Sequence, residues 1–256
     1  MGIDSEKTSI YKETKGVNAM SNYNSQKFNL PSFPWIMKQT WSENLFVHYP
    51  VKKEHLQKLI PKPLQLDTYD NRAWVSIVPY FIQNMRGHGM PAIPGTKEFA
   101  GFNLRTYVRA NEKPGVYFFH LGASNWFATK GAKTFFQLPY FYEDIRMDKE
   151  KEMVHFQAPG KLVCAYKGAS KPYHPSKGSL DEWLVERYCL YTTNQKGKLF
   201  QGNILHPSWV LYDAEAEFQE NTLLSRYNIT PESDRPILHF AHKREVAIWP
   251  LVSPNQ

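Results

Sequence analysis

One segment of strand character, residues 102–109, carries the polar side chains best placed for binding chemistry. Side chains alternate between the two faces of a strand, so Asn103, Arg105, Tyr107 and Arg109 share one face, and the other face is apolar apart from Thr106. If the polar face points into a cavity, Arg105 could hold a carboxylate through two parallel hydrogen bonds, with Asn103 and Tyr107 orienting the ligand. The alternative is a face exposed to solvent, and the pattern alone does not decide between the two.

Two histidines and two lysines are further candidates for chemistry. His120 lies in an almost wholly apolar segment, where a hydrogen-bonded core histidine is commoner than a general base. His239 is three residues from His242, so in a strand the two face opposite sides. Lys130 and Lys133 are three apart on a predicted helix, where a buried amine could form a Schiff base with a carbonyl substrate, although exposed lysines are the simpler interpretation.

Several signatures of other chemistry are absent from the sequence. We find no glycine-rich dinucleotide or phosphate loop, no zinc-protease helix and no nucleophilic serine elbow. The nine histidines are scattered, so we predict no metal site and no cofactor. The net charge of +7 is divided among short, separated basic runs, which argues against a nucleic-acid partner. The expected partner is a small-molecule ligand, and a homo-oligomer is compatible with the sequence.

The composition is typical of a globular protein with an aromatic core. The 256 residues include 16 Phe, 15 Tyr and 7 Trp, and aromatic side chains favour strands and bury large areas. Cys164 and Cys189 have apolar neighbours, which predicts buried free thiols in a reducing compartment. No apolar run approaches the ~18 residues of a membrane helix and no signal-peptide core is present, so we expect a cytoplasmic protein without a membrane partner.

The strand and turn signals predict one strand-dominated α+β domain. Residues 1–29 are polar and lack periodicity, so we predict a disordered tail followed by a single domain over 30–256. A helix is predicted over 124–136, and Pro79 inside a predicted strand indicates an edge or a bulge. About nine strands with a few short helices favour a closed or partly open antiparallel β barrel with flanking short helices.

Short apolar and aromatic motifs are distributed over almost the whole chain, and their order and spacing are together specific. They lie at residues 35–41, 45–51, 59–64, 73–79, 103–108, 114–119, 138–140, 186–188, 238–240 and 247–250. On these motifs, residues 33–252 resemble the YqjF-like family of uncharacterised bacterial proteins.

This resemblance implies the acetoacetate decarboxylase-like fold, a cone-shaped β barrel with flanking helices and an interior cavity. The decarboxylases form a Schiff base on a lysine, but the matching position here is Tyr140, and a phenol cannot form an imine. The positions of the two active-site acids match Val75 and Gly101, and that of the arginine falls near Trp41. A helix lysine could replace the missing amine only if the helix turned it inward.

The residue pattern and the family resemblance together predict a barrel that binds a small metabolite, a carboxylate or a carbonyl compound, without Schiff-base decarboxylase activity. The predicted ligand-binding residues are Asn103, Arg105, Tyr107 and Tyr140. A first alternative is a lyase or hydratase in which Tyr140 acts with His120 or His239 in acid–base chemistry. A second alternative is a structural or partner-binding protein whose barrel is filled by its own aromatic side chains.

Overall fold

The computed structural model describes residues 31–136, 138–194 and 196–254, without the side chains of residues 132–136. The predicted tail over 1–29 and the side chain of Lys133 therefore lie outside the described residues. The described strands are β1 (Met37–Val51), β2 (Gln65–Leu66), β3 (Ala73–Gly87), β4 (Glu98–Ala110), β5 (Lys113–Ala123), β6 (Tyr140–Tyr142), β7 (Arg146–Glu150), β8 (Met153–Ala158), β9 (Leu162–Gly168), β10 (Cys189–Thr193), β11 (Leu199–Leu205), β12 (Tyr212–Asn221) and β13 (Ile237–Ile248). The helices are α1 (Lys53–Leu56), α2 (Trp126–Phe136), α3 (Leu180–Val185) and α4 (Leu223–Arg226), with a 3-10 turn at Gln57–Leu59 after α1.

Seven strands follow one another in a ring. Their order is β1–β3–β4–β5–β10–β11–β13, and β13 pairs back onto β1 from Met37↔Ile248 to His48↔Ile237. These pairings are antiparallel except that between β5 and β10, which is parallel at Tyr191↔Tyr117. The predicted strand-dominated α+β fold is confirmed, and the parallel pairing is a detail that strand patterns alone do not reveal.

A second layer of strands covers the outside of the ring. β12 pairs with β13 and leads on through β9 and β8 to β7. Alternate residues of β4 belong to two different apolar clusters: Phe102 and Leu104 pack in an outer cluster with Phe156 of β8, whereas Tyr107 packs in an inner cluster with Leu184 of α3. Because both faces of β4 are covered along its middle, Asn103, Arg105 and Thr106 are all buried although Thr106 points to the opposite face.

Pro79 lies in the middle of β3, not at an edge. The register between β3 and β1 shifts between Ser42↔Phe81 and Val47↔Ile77, so β1 holds one extra residue opposite Pro79. Glu43, inside this bulge, has a φ of 52°. Since proline has no N–H to donate, an irregularity of the neighbouring ladder is expected at this point. The bulge predicted from Pro79 is confirmed, and it forms in the partner strand.

The two cysteines are free and buried, as predicted. Burial raises the pKa of Cys164 to about 12 and that of Cys189 to about 11, so neither is a reactive thiolate at neutral pH. Over the described part of the chain, no helix has the length and apolar character needed to cross a membrane. The same residues contain no cluster of three or more His, Cys, Asp or Glu side chains suited to a metal ion.

Candidate ligand-binding site

A cavity lies inside the ring, and all seven ring strands contribute side chains to its wall. Its volume is about 80 Å³. A water molecule takes up roughly 30 Å³ in the liquid, so the cavity has room for about two to three. Much of the wall is apolar, including Phe46, Ile82, Met85, Phe99, Phe118 and Leu121.

Strand pairing places Asn103 and Arg105 on this wall. Asn103 of β4 lies between Val78 of β3 and Leu121 of β5, and all three line the cavity. Arg105 is two residues further along the same face and is paired with Ser76. The polar face of residues 102–109 therefore points into the ring, and the solvent-exposed alternative is wrong for Asn103 and Arg105, which are 5% and 8% exposed.

Arg105 is a buried cation without a carboxylate partner among the described residues. Its Nη2 donates to the carbonyl oxygen of Leu184 at 3.3 Å, and its Nε has no hydrogen-bond partner. The guanidinium carbon lies 5.6 Å from the ring centroid of Phe46. Burying a charge is unfavourable unless it is paired, so the position favours an anion in the cavity.

A second arginine, Arg187, also lines the cavity but is neutralised. Its Nη1 donates to Asp67 Oδ2 at 2.5 Å and its Nε to the carbonyl of Trp183 at 2.8 Å. The guanidinium carbon lies 4.2 Å from the ring centroid of Trp183. Sequence reasoning did not assign Arg187 to the site, since it stands just after α3 in a segment without periodicity.

Tyr107 is buried beneath both arginines and is not part of the cavity wall. Its ring centroid lies 5.9 Å from the guanidinium carbon of Arg105 and 5.0 Å from that of Arg187. Its hydroxyl donates to the Leu184 carbonyl at 3.0 Å and is 2.5 Å from Ser76 Oγ. The structure thus places Tyr107 against the two guanidinium groups and outside the described cavity wall.

Two phenols face the cavity. Tyr140 and Tyr80 both line it. Burial raises the pKa of Tyr140 well above its ordinary value, and the neighbouring Tyr80 adds to this. Burial also raises the pKa of Tyr80 to about 12, although the amide of Asn103 and the charge of Arg105 oppose it. Both phenols are therefore neutral at physiological pH and can donate a hydrogen bond to a ligand.

The two predicted catalytic histidines lie outside the described cavity wall. His120 packs on Phe102 of the outer cluster, and its ring nitrogens are hydrogen-bonded to Glu143 and Tyr227, each at 2.7 Å. His239 is 3% exposed and its Nε2 lies 3.2 Å from Asp181 Oδ1. Both ring nitrogens of His120 are thus satisfied, whereas Nδ1 of His239 has no hydrogen-bond partner among the described residues.

A third histidine, His206, does line the cavity and was not predicted. Its Nδ1 lies 2.9 Å from the carbonyl of Pro207 and its Nε2 lies 3.3 Å from that of Arg187. Burial lowers its pKa. It follows a β11 strand of ordinary apolar character, so no pattern in the sequence distinguishes it from the scattered histidines.

No lysine, aspartate or glutamate is found among the described side chains of the wall. Lys130 of α2 is exposed, and its amine lies 4.7 Å from the ring centroid of Trp126. Of the positions matched to the decarboxylase residues, Tyr140 and Trp41 line the cavity, whereas Val75 packs in the outer cluster.

Comparison with known proteins gives the family and the fold. The model of the DUF2071 family, described as an "uncharacterized conserved protein", matches residues 38–245. The chain is 44% identical over 236 residues to the uncharacterized protein YqjF of Bacillus subtilis, covering 90% of this chain and 97% of that protein.

Solved structures with the same architecture are distant in sequence. The enduracididine biosynthesis enzyme MppR in complex with pyruvate has a TM-score of 0.57 at 8% identity, covering 87% of this chain and 91% of that one. Acetoacetate decarboxylase from Legionella pneumophila has a TM-score of 0.56 at 13% identity, covering 88% and 90%. The fold is acetoacetate decarboxylase-like, as the sequence motifs implied, and the chain belongs to the DUF2071 family of YqjF-like proteins.

Proposed function

We propose that this protein binds a small carboxylate in the cavity inside the strand ring, with Arg105 as the group that holds the anion. The observation that carries the proposal is the setting of Arg105, which is buried in the wall of a largely apolar cavity with no carboxylate partner among the described residues. A ligand carboxylate would supply the missing countercharge and form charge-assisted hydrogen bonds.

The size and polarity of the cavity indicate how large the ligand is and which other polar group it carries. A volume of about 80 Å³ suits an acid of only a few carbon atoms. The neutral phenols of Tyr80 and Tyr140 provide donors for a second oxygen, such as a carbonyl. The pyruvate in the MppR structure belongs to this size class and makes small 2-oxo acids the first ligands to test.

Schiff-base chemistry is not part of the proposed function. The described wall offers Tyr140 where the decarboxylases have their lysine, and the amine of Lys130 is exposed on α2. A cytoplasmic site of action, which the two free thiols favour, belongs to the same proposal.

A lyase or hydratase is the second candidate, and the pair of cavity phenols favours it. Tyr140 could give a proton to a bound substrate, but His120 and His239 lie away from the described wall, and both ring nitrogens of His206 face backbone carbonyls. Turnover of a bound acid that is lost in Tyr140→Phe while binding persists would establish this function.

Ligand-observed NMR with a panel of acetate, pyruvate, lactate and acetoacetate tests the binding proposal. We expect saturation transfer to at least one of these acids from the native protein and its loss in Arg105→Gln. Arg109→Gln is the matched control, because Arg109 lies on the same strand, is 41% exposed in its side chain and pairs with Glu112. Equal transfer in all three proteins would refute the role of Arg105, and no transfer from the native protein would refute carboxylate binding.

A further inference from the structure

We infer that the Arg187–Asp67 ion pair limits the cavity to one net positive charge, so that the site selects monocarboxylates and rejects dicarboxylates. This inference rests on the proposed function. It makes Asp67, which does not line the cavity, the residue that determines how many negative charges a ligand may carry.

The geometry of the pair shows that Arg187 is already neutralised. Asp67 Oδ2 lies 2.5 Å from Arg187 Nη1, and the two side chains are 14% and 4% exposed. The Nε of Arg187 is also occupied, by the carbonyl of Trp183 at 2.8 Å. Only its Nη2 has no hydrogen-bond partner. Arg187 can therefore donate a hydrogen bond to a ligand without contributing an uncompensated charge.

The two arginines form one electrostatic unit. Both guanidinium groups lie on the ring of Tyr107, with carbon-to-centroid distances of 5.9 Å for Arg105 and 5.0 Å for Arg187. Each cation raises the electrostatic potential at the other: burial lowers the pKa of Arg187, and the charge of Arg105 adds to this. With one carboxylate for two guanidinium groups, one positive charge is left for the ligand.

The rest of the described wall has nothing that would stabilise a second ligand carboxylate as an ion. It contains no lysine, and burial lowers the pKa of its histidine, His206, which keeps that ring neutral. A second carboxylate would thus be desolvated among aromatic and aliphatic side chains without a countercharge, which is strongly unfavourable.

The decisive comparison uses succinate and succinamate, two ligands of equal size that differ by one charge. We expect the native protein to bind succinamate at least about tenfold more tightly than succinate at neutral pH. In Asp67→Asn the second guanidinium is no longer neutralised, and we expect the preference to invert in favour of succinate. Glu112→Gln is the control, because it removes the carboxylate of an exposed pair with Arg109 and should leave the native preference unchanged.

The outcomes separate this inference from the proposed function. If the native protein binds succinate as tightly as succinamate, or if folded Asp67→Asn keeps the native preference, the inference is wrong while carboxylate binding stands. If neither these ligands nor the smaller acids bind, the proposed function itself is wrong. Circular dichroism establishes whether Asp67→Asn is folded. If Asp67→Asn does not fold, the relative affinity of the native protein for succinate and succinamate still tests the inference.

Discussion

Arg105 and Tyr107 donate to the same acceptor, the carbonyl oxygen of Leu184, at 3.3 and 3.0 Å. The two side chains leave β4 on the same face, and the shared carbonyl fixes the guanidinium above the phenol ring. Arg105 is thus a buried cation that rests on Tyr107 and has no carboxylate partner among the described residues. The proposed function follows from this arrangement.

Replacing Arg105 should not destabilise the protein. In Arg105→Met the buried charge is removed, while the Leu184 carbonyl keeps the hydrogen bond from Tyr107. We expect the free energy of unfolding in urea to stay the same or rise by about 1 kcal/mol. Arg109→Met, at a half-exposed position, should change it by less than about 0.5 kcal/mol. A loss of more than about 2 kcal/mol in Arg105→Met would show that this arginine is structural.

His48 should make stability sensitive to acid. Burial lowers its pKa well below the ordinary 6.5, and the nearby His239 and Arg105 add to the effect. The unfolded chain therefore binds a proton more readily, so the contribution of His48 to stability is present above pH 6.5 and is lost as the pH falls below it. Between pH 7.5 and 5.0, the free energy of unfolding should fall less in His48→Asn than in the native protein. An equal fall in both would contradict the neutral, buried state of His48.

Gly115 should be required for stability, because β5 packs closely against the parallel strand β10 at this position. A Cβ at this position would lie 2.6 Å from the backbone oxygen of Cys189 on β10, which cannot move without breaking the pairing. We expect Gly115→Ala to lower the free energy of unfolding by about 1–3 kcal/mol. Gly131→Ala on α2 is the control, because its Cβ meets nothing within 4 Å, and alanine in a helix should add about 0.5–1 kcal/mol. A neutral Gly115→Ala would refute the close approach of β5 and β10.

Sequence reasoning grouped the polar side chains of β4 on one face but did not decide where that face points. Alternation put Asn103 and Arg105 together, because a strand covered on both faces still divides its side chains by period two. The same rule could not show that Tyr107 lies under the cations, since contact with Leu184 depends on how α3 packs.

The residues that sequence reasoning missed come from distant parts of the chain. Arg187 and His206 reach the cavity only because β10 and β11 complete the ring between β5 and β13. Periodicity along the sequence does not show which distant strands pair to close the ring. Family resemblance supplied the fold, and with it the position of Tyr140 in the cavity wall, which composition and periodicity did not indicate.

Borohydride reduction in the presence of acetoacetate should leave the mass of the protein unchanged. The described cavity wall has no amine to form an imine, and a surface lysine such as Lys130 has no pocket to hold the substrate. Intact-protein mass spectrometry with peptide mapping is the measurement. A stoichiometric adduct on Lys130 or Lys133 would overturn the proposal that the protein acts without a Schiff base.

The most direct test of carboxylate binding by Arg105 is calorimetric titration of pyruvate into the native protein, Arg105→Gln and Arg109→Gln. Hydrogen bonds to a charged group contribute about 1.5–3 kcal/mol. We therefore predict that Arg105→Gln raises the Kd by roughly 10- to 150-fold, whereas Arg109→Gln leaves it within about twofold. A Kd in Arg105→Gln equal to that of the native protein would show that this buried arginine does not hold the ligand carboxylate.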